Sequence, residues 1–230
     1  MWFLYNVSMG ILDLLFPRRC VGCGRLGGYF CDRCRKQIIF IKNPICPVCG
    51  LKALGGVTHP KCRTLYSLDG LYAASKYFGP VKQAIHLIKY RLVKDLVQFT
   101  MDELFATMQF PLPLFDFMVS VPLHKKRLRY RGFNQCDLMA KILSEKLHTL
   151  LLNGVLLRAQ DTKPQADLKR EDRLENIRHA FTCLDPSSVK GKSIALVDDV
   201  ATTCATLREC ANVLKRAGAK KVWGIVLAHG

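Results

Sequence analysis

Apolar positions change their spacing several times along the chain, and each change marks a different element. Residues 68–77, "LDGLYAASKY", alternate as a strand does. Pro80 then opens a stretch with Val81, Ile85, Ile88 and Leu92 on one helical face. The run "FDFMVSVPL" at 115–123 suits a buried strand and is ended by Pro122. Helical spacing returns from 134 to about 152 through Leu138, Ile142 and Leu147, and Asn153-Gly154 stops it. Residues 159–179 are polar without a period and read as a loop. A short apolar strand covers 193–197. A helix over about 205–217 places Leu207, Cys210, Ala211 and Leu214 on one side and ends at Gly218, and "KVWGIVLA" at 221–228 is the last strand. Strands alternating with helices of this length predict an α/β fold: a parallel sheet flanked by helices, with right-handed crossovers.

The first third of the chain follows a different pattern, set by cysteine. Of eleven cysteines, seven fall between Cys20 and Cys62. They form Cys20-x-x-Cys23, Cys31-x-x-Cys34 and Cys46-x-x-Cys49, and His59 stands three residues before Cys62. Zinc prefers thiolate and imidazole and takes four such ligands in a tetrahedron. Each two-residue spacing presents two donors to one metal, and Gly24 and Gly50 suit the tight turn after Cys23 and Cys49. Eight ligands predict two Zn²⁺ ions in a small zinc-ribbon-like module. Spacing leaves open whether the sites are sequential or interleaved. A filled four-ligand shell makes the metals structural or docking elements, not catalysts. His86, His148, His179 and His229 show no ligand spacing.

Composition adds three constraints. Half of the 230 residues are hydrophobic, enough for a substantial core. The formal charge is +17, which favours polyanionic partners such as nucleic acid or phosphorylated small molecules, and equally fits a plain basic surface. An odd cysteine total with metal spacing points to a reducing compartment. The N-terminal "MWFLYNVSMGILDLLFP" has no basic n-region and no cleavage site and is short for a span. It reads as an amphipathic segment over 1–17. The expected organisation is that segment, a double zinc-binding module over 18–66 and a larger domain over 67–230. The expected location is cytoplasmic, at most peripheral to the inner membrane.

Residues 194–206, "IALVDDVATTCAT", carry the clearest chemistry. An apolar strand delivers Asp198 and Asp199 to the carboxyl edge of the sheet, where ligands bind in such folds. Carboxylates suit ribose hydroxyls, directly or through Mg²⁺ and water. The stretch Thr202, Thr203, Cys204, Ala205 and Thr206 leads into a helix, whose first amides cradle phosphate. Two acids for a sugar and one turn for a phosphate fit a ribose 5-phosphate. A capped helix with acids opposing its dipole is the alternative from this segment alone.

The stretch resembles the signature of type I phosphoribosyltransferases: two acids, variable residues, then Thr, Gly, a variable residue and Thr. Cys204 stands where that pattern has glycine. Either the turn adopts negative φ there, or the Cβ weakens phosphate binding. The run "VPLHKKRLRYRGFNQ" at 121–135 resembles the ComF family of competence and DNA-utilisation proteins. Arg158, "TKPQADL" at 162–168, Arg173, Asn176 and Ala180-Phe181 extend that likeness over nearly the whole chain. It implies a type I phosphoribosyltransferase-like sheet behind the zinc module. It further implies phosphoribosyl pyrophosphate (PRPP) bound with Mg²⁺, and a role in handling imported DNA. Asp198 and Asp199 would be the catalytic acids. Residues 202–206 would hold the 5-phosphate, and Pro122, Leu123, Arg131 and Arg173 would face pyrophosphate. Asn134 is a ligand candidate or a helix cap.

Two function classes follow. One is a transferase that passes the phosphoribosyl group to an acceptor the sequence does not identify. The other is a nucleotide-sensing or single-stranded-DNA-binding adaptor that reuses the fold, with basic clusters at 124–131 and 163–178 and Tyr130 and Phe133 as stacking platforms. Proteins of the DNA-uptake machinery are the partners the likeness implies.

Overall fold

The computed structural model describes residues 17–106, 112–161 and 176–230. The N-terminal segment over 1–16, Arg173 and most of the 159–179 loop lie outside the described residues. Within them, five strands form one parallel sheet. They are β1 (Gly70–Lys76), β2 (Phe117–Ser120), β3 (Leu150–Leu151), β6 (Ser193–Ala201) and β7 (Lys221–His229), in the order β1-β7-β6-β2-β3. A separate antiparallel pair is made by β4 (Leu156–Arg158) and β5 (Phe181–Cys183).

Because β6 and β7 are covered on both faces, they are apolar almost throughout, as buried parallel strands must be. One face carries α2 (Gly79–Tyr90), α3 (Asp95–Phe105) and α5 (Gln135–Lys146). Val81, Ile85, Met101, Met139 and Leu143 pack there on Ala195, Val197, Ile225 and Leu227. The other face carries α7 (Ala205–Arg216), whose Leu207, Cys210, Ala211 and Leu214 meet Ile194, Leu196, Val222 and Val226, and the short α6 (Pro186–Val189) adds Val189 to that cluster. This is the stripe that the spacing predicts.

Three boundaries differ from the sequence reading. Leu92 does not continue its helix: α2 stops at Tyr90, Leu92 adopts φ 59° and is exposed, and α3 follows as a separate element. The helix expected over 134–152 ends at Lys146. His148 turns the chain with φ 50°, and Leu150–Leu151 pairs with Phe117 and Met118. β6 does not end at Val197; it runs through both aspartates to Ala201, because β7 continues to pair alongside.

The cysteine module, which contains the short α1 (Asp32–Arg35), lies along the free edge of β1. Antiparallel bridges join Phe40 to Ser75 and Val57 to Gly70. Ile41 N donates to Ala74 O (3.1 Å), Lys76 N to Ile39 O (2.8 Å) and Thr58 N to Asp69 O (2.9 Å). An exposed parallel edge would invite pairing with other chains, and this backbone occupies it. Gly56, at φ 78°, permits the approach, since a Cβ there would collide with the Leu71 carbonyl oxygen. Among the described residues, no helix is long and apolar enough to cross a membrane.

Candidate functional site

Strand order reverses between β2 and β6. The chain leaves β2 toward β3 on one side and leaves β6 through α7 toward β7 on the other. The two exits diverge and open a crevice at their carboxyl ends, the usual ligand position in open α/β sheets. A cleft of about 400 Å³ occupies that crevice. Val121, Pro122 and Leu123 border it from β2, and Asp198, Asp199 and Thr206 from β6 and α7.

The two acids have unlike surroundings. Asp199 is only 4% exposed. Lys89 Nζ lies 2.8 Å from its Oδ1, and Gln135 Nε2 donates to its Oδ2 at 2.7 Å. Arg131 Nη1 donates in turn to Gln135 Oε1 (3.2 Å), and its guanidinium lies 5.6 Å over the Tyr90 ring. Burial by itself lowers the affinity of Lys89 for its proton; Asp199 more than offsets this, and the net shift is upward. Lys89 is therefore a cation. Asp198 accepts a hydrogen bond from Cys136 Sγ (3.4 Å) and one from Asp199 N (2.9 Å). Burial first, and the neighbouring Asp199 second, push its carboxyl up to about 6. Burial and then Asp198 push the Cys136 thiol well up, so it stays protonated and donates.

The bend after β6 resolves the cysteine question. Cys204 adopts φ 57° and ψ 15° as the N-cap of α7, so the negative-φ alternative is overturned. Its side chain is 4% exposed, packs with Ala201, Ala205 and Leu207 in the core beneath the bend, and does not border the cleft. The left-handed conformation persists without glycine because the core holds the side chain. Ala205 is buried and its amide donates to Thr203 Oγ1 at 3.4 Å. Thr202 and Thr203 are partly exposed.

At the β2 exit, His124 caps the N-terminus of α4 (Lys125–Arg131), accepting from Lys126 N at 3.4 Å. Asn134 caps α5 through Cys136 N (3.1 Å), and its amide donates to Val121 O (3.1 Å) and to Asp137 Oδ1 (2.7 Å). Cap and network duty thus fall on one side chain, which ties the β2 exit to α5. Lys89, Gln135, Cys136 and Arg158 also border the cleft and were not singled out as site residues from the sequence. Gln135 closes the "RGFNQ" run, which is a signal; Lys89 sits in an ordinary helical pattern and offers none. Arg158 is buried on β4 with its guanidinium 5.5 Å over Phe181. Burial, and then Arg127, lower its pKa.

The eight zinc-ligand candidates of the cysteine module separate into two groups in chain order: Cys20, Cys23, Cys31 and Cys34, then Cys46, Cys49, His59 and Cys62; a third cluster of possible ligands, Cys136, Asp198 and Asp199, lies at the cleft. The sites are sequential. In each, the donor atoms lie within 4.8 Å of one another. Cys31 Sγ is 3.6 Å from Cys20 Sγ and 3.7 Å from Cys23 Sγ. A tetrahedron with Zn–S near 2.3 Å has edges of about 3.8 Å, so the first set fits zinc. In the second, Cys49 Sγ is 3.4 Å from His59 Nδ1, and His59 Nε2 lies 3.0 Å from Lys52 O. Donation from Nε2 to that carbonyl fixes the tautomer and the ring orientation and leaves the Nδ1 lone pair for a metal. Gly24 and Gly50, at φ 75° and 76°, make the knuckle turns.

Known proteins share both parts. The profile of the double zinc ribbon domain matches residues 11–64, and that of the phosphoribosyl transferase domain matches residues 134–230. The chain is 31% identical over 229 residues to Competence protein F of Haemophilus influenzae, covering 93% of this chain and 98% of that one. It is 34% identical over 187 residues to the DNA utilization protein YhgH of Escherichia coli K12, covering 77% of this chain and 81% of that one. It is 28% identical over 227 residues to Competence protein ComFC of Bacillus subtilis 168, covering 94% and 86%. The chain belongs to the competence protein F family: a double zinc ribbon with two zinc sites, joined to a parallel-sheet phosphoribosyltransferase domain.

Proposed function

We propose that this competence protein F family member binds PRPP with Mg²⁺ in the cleft between the β2 and β6 exits. The observation that carries the reading is that Asp198 and the hydroxyl-bearing start of α7 border one cleft at the switch point of the sheet. The 5-phosphate would meet Thr202, Thr203 and Thr206 and the first amides of α7. Asp198, partly exposed on the cleft, would accept from the ribose hydroxyls. Asp199 is already matched by Lys89 and Gln135 and serves to fix the wall. The donor set suits Mg²⁺ only in part: Asp198 offers a carboxylate whose Oδ1 already accepts two hydrogen bonds, and a hard cation would complete its shell with water and substrate phosphate oxygens. Bound there, Mg²⁺ would screen the charge of the departing pyrophosphate. Pro122, Leu123 and Arg131 line the side where pyrophosphate would lie, and Arg173 is assigned there from the sequence. In turnover the bond from C1 to pyrophosphate breaks and an acceptor nucleophile bonds C1, with catalysis by position and charge.

Single-stranded DNA would lie on the rim of the same cleft. Tyr130 is 78% exposed on α4, among Lys125, Lys126, Arg127 and Arg129. Phe133, the other expected platform, is 8% exposed and packs in the core, so stacking falls to Tyr130. DNA-uptake proteins on the cytoplasmic side of the inner membrane are the partners of this reading. Titration calorimetry with PRPP and Mg²⁺ tests the first part: Asp198→Asn should abolish Mg²⁺-dependent binding, and retained binding would refute the site. For the second, Tyr130→Ala should cost about 1–3 kcal/mol of single-strand affinity, and affinity should fall steeply with salt.

A further inference from the structure

A second cavity, of about 450 Å³, lies on the other side of α7. It is walled by the chain leaving the second metal-ligand group (Cys62, Tyr66 and Ser67) and by the outer face of α7. Ala205, Arg208, Glu209 and Asn212 recur at helical spacing along that face. The first turn of α7 divides the cavities: Thr206 borders the cleft and Ala205 borders this one.

Most polar groups here are committed to building the cavity. Glu209 Oε1 accepts from His179 N (2.9 Å), and Asn212 Nδ2 lies 3.5 Å from Glu209 Oε2. Arg216 Nε donates to Asn212 Oδ1 (2.9 Å), and its guanidinium stands 4.3 Å over the Tyr66 ring. The ring is thus held from one side yet remains 39% exposed. Buried Ile177 gives an apolar floor. Arg208 is different. Among the described residues, its guanidinium has no hydrogen-bond or ion-pair partner, although it borders a cavity that also contains Tyr66.

We propose that this cavity binds a nucleoside monophosphate. A fixed, partly exposed aromatic ring beside an apolar floor suits a planar base. An uncommitted guanidinium suits a phosphate, which it can engage with two parallel donors. The volume falls within the range of small-molecule sites. The inference is independent of PRPP binding in the cleft, since among the described residues the two cavities share no bordering residue.

The test is titration calorimetry on the full-length zinc-loaded protein with adenosine 5′-monophosphate, adenosine and inorganic phosphate as probes. The monophosphate should bind saturably and more tightly than either fragment. Arg208→Gln and Tyr66→Ala should each weaken it by about tenfold, the loss of one charge-assisted contact or one stacked base. Tyr66→Phe keeps the ring and should retain binding, which separates stacking from damage to the fold; zinc content checks the latter. Asp198→Asn should leave the monophosphate affinity unchanged. The proposal is overturned by absence of saturable binding, by indifference to both Arg208→Gln and Tyr66→Ala, or by loss in Asp198→Asn, which would place the nucleotide in the cleft.

Discussion

Replacing Lys89 with methionine should be among the most damaging single changes in the cleft wall. The substitution keeps the length of the stem and removes the charge. It leaves Asp199, 4% exposed, with Gln135 as its remaining side-chain partner among the described residues. Two unit charges 2.8 Å apart interact by about 6 kcal/mol at an effective dielectric near 20. Protonation of Asp199 limits the loss, so about 3–5 kcal/mol is expected, the usual cost of stripping a buried charge of its partner. Asp199→Asn by itself should cost less, about 1–3 kcal/mol, because Lys89 still has Asp198 nearby. The double variant carries neither charge and should be more stable than Lys89→Met alone. Urea unfolding followed by Trp223, buried in β7 beside β6, reads this directly in a Trp2→Phe background. A coupling energy of at least about 2 kcal/mol is expected for residues sharing one network. Additive effects of the two substitutions would refute the argument that this pair holds the wall.

Three further outcomes follow. The Asp198 carboxyl is raised from 3.8 to about 6, so the folded state holds a proton there that the unfolded state has released; the unliganded protein should lose this stabilisation as pH rises from about 4 to about 6, and Asp198→Asn should flatten that slope in urea titrations at each pH. Cys204→Gly should change stability by no more than about 1 kcal/mol, since relief of the left-handed strain offsets a lost buried side chain, whereas Cys204→Val should cost more than about 2 kcal/mol; equal melting of the two variants would contradict the strained bend. Elemental analysis should find two zinc ions per chain, and Cys49→Ser should remove the second while the first set keeps its metal; loss of both together would show that the sets are not separate.

The alternation of strands and helices, the cysteine spacing and the acids before α7 were legible because each is local and periodic. The missed elements depend on distant partners. Leu150–Leu151 continues the preceding helical pattern in sequence, and only pairing with β2 makes it a strand. The aspartates extend β6 instead of ending it because β7 lies beside them. Lys89 and Asp199 meet only through the crossover of α2 over the sheet, and nothing in the lysine's own surroundings in sequence announces it. Cys204 could be located from the motif, but its conformation could not: the choice between a negative and a left-handed φ is made by the hydrophobic pocket under the bend.

Chain segments 39–41 and 57–58 act as extra rungs on the ladder of β1. A gene cut after the metal-binding codons would therefore not yield a self-sufficient half. The downstream product would present a raw, adhesive margin, and its expected fate is precipitation or self-association. The larger part is therefore expected to stay soluble by itself only where a substitute strip of backbone takes over the cover.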